Sequence, residues 1–453
     1  MNTTTTITEE RYTFTAGTKK TLTIIGVVGI VLLVLGTIIA MSGGHHEEGE
    51  HAINELTSQT QLTASVEEGP AAEHEGEHHG SATWLKRVFA NLWVNNVYFT
   101  GLALIGIFFV AIQYAAQAGW SAGMKRIPLA MAHWLPIAGV LMLVSWFIVK
   151  HDVFHWTHDS LYAEGTEGFD EIIFGKSAMW YWPLEGGTFP LFFVLRMVIF
   201  FAIWFMMFKW IKREMLAEDI DGQLSHWYKA RKYSAIFLVI FAVTSSISAW
   251  DWVMSVDPHW FSTMFGWYVF ASWWVNGLAV ITLIVVMLKQ AGYLKVVNAN
   301  HLHDIGKFVF GFSVFWTYIW FSQFLLIYYA NIPEETIYFI ERLETSNYRW
   351  VFFINLLLNF FLPFLLLMTR DAKRHMSMLK LVCPIVIAGH WFDFWLMITP
   401  GVMKQEGTFG FMEIGMVMIF GAAFLFVTLT NLAKMPLFAK NHPMLKESLH
   451  HHI

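Results

Sequence analysis

The sequence predicts an all-α polytopic membrane protein with ten transmembrane helices. Three observations predict it. Hydrophobic residues make up 56% of the chain and charged residues only 14%, against roughly a quarter charged in soluble domains. Aromatics reach 17%, with 22 Trp, enough to furnish interfacial belts at both membrane surfaces. Apolar runs of spanning length recur along almost the whole chain.

The runs fall at about 21–41, 97–118, 128–150, 188–210, 232–255, 260–288, 305–330, 348–369, 376–399 and 409–432. The first is longer than a signal-peptide core and has a weak cleavage site, so it reads as a retained helix. Orientation follows from the basic residues. With residue 1 inside, 21 of the 29 Lys and Arg lie in inside segments and seven in outside segments, and Arg196 lies within a helix. The positive-inside rule therefore puts both termini in the cytoplasm.

Two outside loops are long. Residues 42–96 open with a Glu/His-rich tract whose composition cannot build a packed core. Its six histidines show no fixed metal-ligand spacing. Residues 151–187 are acidic and aromatic and contain enough Trp and Tyr to fold. The terminal "HHH" of 450–452 reads as a tail without function. The domain plan is 1–41, 42–96, 97–255, 256–400 and 401–453.

A faint repeat links segments five and nine. "WDWVMSVDP" and "WFDFWLMITP" each place an aspartate, Asp251 and Asp393, seven residues before a proline. Both helices run outward, and an even number of helices separates them. A duplicated four-helix unit produces that relation, so helices 2–5 and 6–9 are expected to form two four-helix bundles, flanked by helices 1 and 10.

Several function classes are excluded. A net charge of −5 gives nucleic acid no basic surface. The single cysteine, Cys383, rules out an intrachain disulfide, a Cys-ligated cluster and C-x-x-C-H haem attachment. No phosphate-binding glycine motif appears. His133 and His390 lie at opposite depths, which argues against a bis-His haem.

The ionisable residues inside the apolar segments carry the functional signal, because each costs a few kcal/mol in hydrocarbon, about 2.5–3.5 for Asp or Arg at the centre. Asp251 lies about 10 Å from Pro258, with Asp393 at the matching depth. His390, three residues before Asp393, shares its helix face. Arg196 sits two turns into segment four, and His151 and Asp152 stand where segment three emerges. Glu413 is one turn into segment ten. All these gather towards the outside. Two readings stay open: an ion-pair network of Arg196, Asp251 and Asp393 pinning the two bundles, or a proton-handling site open to the outside.

His133 lies towards the inside, as a packing residue or part of an inner proton route. Gln323, Asn276, Asn355 and Asn359 can supply interhelical hydrogen bonds. Asp257-Pro258 reads as a helix start, with His259 interfacial. Trp250, Trp252 and Trp260 have the chemistry to wall a slot for a ring. A stand-alone transporter would need matched helix breaks, and Pro136 and Pro363 are the only candidates.

The ten-helix plan, "LPIAG" after His133, "HDVFHWTHDSLY" and above all "AWDWVMSVDPHWFSTMFGWYVF" resemble the ActF membrane subunits of bacterial alternative complex III, within the wider polysulfide-reductase (NrfD-like) membrane-subunit family. The resemblance spans most of residues 85–435. It implies two side-by-side four-helix bundles in a bacterial inner membrane and a quinol:cytochrome c oxidoreductase. It implies menaquinol as the reductant and no covalently bound cofactor in this chain. The expected partners are an ActC-like paralogue, iron–sulfur and c-haem subunits, and a cytochrome oxidase. Asp251, His390, Asp393, Arg196, His151 and His133 are the residues this places on a proton or quinol path. The same resemblance also fits a scaffold subunit whose outer loops dock redox partners.

Overall fold

The computed structural model describes residues 9–62 and 82–452. Ten helices are long and apolar enough to cross a membrane: TM1 Ala16–Ser42, TM2 Thr83–Ala115, TM3 Arg126–Val153, TM4 Leu191–Asp221, TM5 Leu224–Val256, TM6 Phe265–Gln290, TM7 Ala299–Ala330, TM8 Ser346–Leu366, TM9 Met376–Glu406 and TM10 Phe411–Leu432. No strand occurs among the described residues. The chain is an all-α polytopic membrane protein.

TM2 and TM6 are the most enclosed spans, and TM1 is the least. TM2 packs on TM3 and TM5, and TM4 packs on the same two. TM6 likewise packs on TM7 and TM9, and TM8 on those two. TM2 also meets TM6 and TM9, and TM5 meets TM6, so the two groups share one apolar seam. Gly101 permits that seam: a Cβ there would occupy the Trp273 indole, whose Nε1 donates to Val97 O at 3.2 Å.

TM1 lies against TM10. Gly29 and Gly415 face each other so closely that a Cβ on either would sit 2.8 or 2.6 Å from the other's carbonyl oxygen. Small residues let the two backbones approach, the usual source of helix attraction where lipid supplies no hydrophobic drive.

Proline explains the irregular spans. In TM3, Pro136 has no N–H and crowds the carbonyl four residues back, at Ala132. The chain passes through a 3₁₀ turn at Ala132–Trp134 before resuming as Leu135–Val153. In TM8 a π segment at Leu357–Phe361 precedes Pro363. The two breaks fall in the second helix of one group and the third of the other, so they are not the matched pair a transporter repeat needs.

Residues 9–15 and 433–452 pack together on one face, joined by Leu437 N–H to Glu10 O at 2.8 Å; this is the terminal face. Residues 151–187 and the helix Pro333–Glu344 lie on the opposite, loop face. The first helix continues past the membrane-spanning part to Leu62, into the stretch whose composition cannot build a packed core. The rest of the Glu/His tract, at 63–81, lies outside the described residues.

Three further expectations are corrected. Asp257-Pro258 starts no helix: a 3₁₀ turn at Met254–Val256 leads into turns, and TM6 begins at Phe265. The D-x₆-P likeness does not extend to helix position. Asp251 stands in the last turn of its α-helix, Leu224–Trp252, whereas TM9 carries Pro400 inside the helix Met376–Met403. The final histidines are not a loose tail: His451 Nε2 lies 2.5 Å from Asp304 Oδ2, and its carbonyl accepts from Asn298 and Asn300.

Candidate functional site

On the loop-face side of the first group, Arg196 of TM4 reaches Asp251 of TM5. Nε donates to Oδ2 and Nη2 to Oδ1, each at 2.7 Å. Asp251 is buried, and Phe192 lies under the guanidinium, 4.3 Å from its ring centroid. Two parallel bonds to a planar fork are the tightest way to hold a carboxylate away from water. Ser255 Oγ donates to the Asp251 carbonyl, filling an acceptor left open where the helix ends.

Beside this pair lies a cleft of about 330 Å³ whose wall includes Asp251, Trp180, Trp250, Trp260 and Phe261. Trp252 is not part of it; that ring stacks on Phe201 inside the core. The loop 151–187 folds over the cleft as its aromatic content predicts. Trp156 and Trp180 stack at 4.5 Å. Asp170 caps the helix Glu171–Lys176 by accepting from Ile172 and Ile173 N–H. Burial alone would raise the Asp170 carboxyl, but the Ile173 N–H and His259, 2.6 Å away, outweigh it and hold it below the ordinary range. Lys176 reaches Pro258 O at 2.5 Å, and its burial lowers its pKa.

The second site is built differently. Asp393 of TM9 is fully buried and accepts four hydrogen bonds from neutral donors on three other helices. Tyr268 OH and Asn355 Nδ2, the latter at 2.8 Å, donate to Oδ1. Ser272 Oγ at 2.8 Å and Trp316 Nε1 at 2.9 Å donate to Oδ2. Because Ser272 gives its proton to Asp393, its oxygen is free to accept from His390 Nδ1, 3.0 Å away. That puts a proton on Nδ1 of His390 and leaves the buried Nε2 without a hydrogen-bond partner. His390 and Asp393 stand 3.8 Å apart, so serine bridges the pair that helix spacing had placed together.

Arg196, Asp251 and Asp393 therefore form no single network: the two aspartates share no partner. Arg342, from the helix Pro333–Glu344, serves the backbone of TM9 instead. Pro400 cannot donate to Leu396 O four residues back. Arg342 Nε fills that carbonyl at 3.0 Å, and Nη2 takes Met397 O at 3.2 Å.

The remaining candidates lie apart. His133 Nδ1 faces Leu129 O and Ala130 O, and its Nε2 meets Lys212 Nζ at 2.7 Å. Lysine only donates, so Nε2 accepts and the ring proton sits on Nδ1. His151 is exposed at the loop-face end of TM3, 3.2 Å from Thr157 Oγ1. Glu413 is fully buried and receives Arg87 twice, at 2.7 and 2.6 Å, along with Asn91 and Gly410 N–H. This ties TM10 to TM2.

Sequence reasoning missed Tyr268, Ser272 and Trp316 as partners of Asp393, and also missed Arg87 and Arg342. One signal was available: Tyr268, Ser272 and Asn276 recur every four residues on TM6, a polar stripe in an otherwise apolar helix. On the terminal face it also missed a buried knot. Lys125 lies over the Tyr114 ring and 3.3 Å from His442, and Arg126 pairs with Asp219. Burial draws Lys125 down to about 7, against the pull of Glu218 and Glu447. Burial, with Lys125 and Arg126 beside it, draws His442 down to about 2.

Among the described residues no group of three or more His, Cys, Asp or Glu is placed to hold a metal ion. No family model matches the chain, and no curated protein sequence matches it.

Proposed function

We propose that the chain is a membrane subunit of a quinol:cytochrome c oxidoreductase of the alternative complex III kind, with its loop face on the outside of a bacterial cytoplasmic membrane. In this reading electrons pass through iron–sulfur and c-haem groups in partner subunits. This chain supplies a quinol cleft and a proton-accepting cluster. The observation that carries the reading is the aromatic cleft on the loop-face side, with the buried Asp251 carboxylate in its wall.

Oxidising a quinol releases two electrons and two protons, so a site needs an apolar slot, a hydrogen-bond acceptor and a proton exit. The volume of the cleft lies at the lower end of ordinary ligand pockets, about 300–1,000 Å³. Each Asp251 oxygen spends one lone pair on Arg196 and keeps another for a hydroxyl. The Asp393–Ser272–His390 cluster is the proton-accepting cluster of this reading.

The test is quinol:cytochrome c turnover of the intact complex carrying Asp251→Asn, with subunit composition checked. Loss of about tenfold or more in a complete complex supports the proposal, and wild-type turnover overturns it. A scaffold role is the second reading, favoured by the folded, acidic 151–187 loop. In that case Asp251→Asn leaves turnover intact, while replacing 164–187 by a short linker dissociates partner subunits.

A further inference from the structure

A slot of about 430 Å³ opens between TM9 and TM10, remote from both aspartates in its chemistry. TM10 packs on TM1, TM2 and TM3, and among the described residues it makes no extensive contact with TM9. Phe99 of TM2 and Ile284 of TM6 form the floor of the slot, and Trp391 and Val417 its walls. Pro384 and Ala388 stand at its mouth, on the exposed side of TM9. Phe409 closes the loop-face end by packing on Phe392 and Trp391, at 5.1 and 6.1 Å between ring centroids.

The lining offers no handle for a polar group. The single Tyr98 hydroxyl proton is used within the protein, between Asn276 Oδ1 at 3.0 Å and Ile387 O at 2.9 Å. Trp391 Nε1 is engaged by Asn95 at 3.1 Å. A quinol ring or a lipid headgroup would find no free side-chain donor, and water would leave most of its own bonds unmade. Contact is lost outright across an unfilled gap, and the mouth faces hydrocarbon, so an apolar chain is the occupant this lining favours.

The dimensions narrow the choice. The lining of TM10 runs from Ile414 to Leu425, about 16 Å at 1.5 Å per residue, or half of a hydrocarbon core of about 30 Å. A single extended hydrocarbon chain matches that length. We propose that the slot between TM9 and TM10 seats one acyl chain of a membrane phospholipid, which completes the packing between the TM1–TM10 pair and the second helix group.

The experiment uses the full chain in phosphatidylethanolamine–phosphatidylglycerol vesicles doped with a phospholipid bearing a diazirine on its acyl chain. After illumination, labelled peptides are mapped. Residues 384–392 and 414–425 are expected to carry at least fivefold more label than 140–148 of TM3, a stretch that includes Val140, 62% exposed, and Val144, 53% exposed. Ala388→Trp, which fills the mouth, should cut slot labelling at least fivefold and leave 140–148 unchanged. A wild-type pattern no stronger at the slot than on TM3 overturns the proposal, and that comparison stands even if the variant fails to fold. Displacement of the label by excess isoprenoid quinone, but not by excess unlabelled phospholipid, also overturns it.

Discussion

Arg196 grips Asp251 through two parallel 2.7 Å hydrogen bonds that join TM4 to TM5 at the edge of an aromatic cleft. Asp393 has no such cation and is held by four neutral donors. Two aspartates that look alike in sequence therefore stand in different environments, and the predictions separate them.

Replacing Arg196 by Leu leaves a buried carboxylate uncompensated and should destabilise the protein by about 3–5 kcal/mol. The double variant Arg196→Leu/Asp251→Leu removes both charges and should recover most of that loss. Thermal unfolding of the detergent-solubilised protein measures both. Under the proposed function the double variant regains stability without regaining quinol turnover. If it regained both, the pair would be structural only.

Asp393→Asn keeps the shape but turns an acceptor-only group into one that also donates, opposite four donors. At least one donor loses its partner, costing about 1–3 kcal/mol. Turnover of the intact complex should fall by about tenfold or more. Tyr268→Phe, which removes one of the four donors, should give a smaller drop.

Glu413→Gln leaves Arg87 without its buried partner and should loosen TM10 from TM2 by about 3 kcal/mol. Increased protease cleavage near 404–410 would report it. Turnover per intact complex should stay at the wild-type level, because neither residue touches either aspartate.

Acid should loosen the segment 437–452 from the terminal face. His442 has its pKa lowered from 6.5 to about 2 by burial, with Lys125 and Arg126 adding to it. The detached segment therefore binds a proton below pH 6.5 that the docked one refuses. The His442 contribution to docking is at full strength above pH 6.5 and weakens by about 1.4 kcal/mol per pH unit below it. Lys125, lowered from 10.5 to about 7, acts in the same direction between those values. Hydrogen exchange of 437–452, corrected for the intrinsic rate, should show protection falling from pH 8 to pH 5. His442→Leu should retain protection at pH 5 to the extent that His442 carries the effect.

Much of the architecture was legible because apolar runs and basic loops are local properties. Glu413 and Arg196 were visible as ionisable groups in apolar surroundings, and the foldedness of 151–187 was visible in its Trp and Tyr. Their partners were not. Arg87 lies 326 residues from Glu413 and Trp316 lies 77 from Asp393, and no helical period relates residues on different helices.

The sequence by itself determined the ten helices, the exclusion of Cys-based redox chemistry and the presence of costly polar groups among apolar ones. Hydropathy and chain length settle those points residue by residue. Only the tertiary structure decided that Asp251 is ion-paired while Asp393 is held by neutral donors, that serine stands between His390 and Asp393, and that His451 clasps Asp304. The state of a buried polar group is set by which atoms surround it, and helix packing alone brings those atoms together.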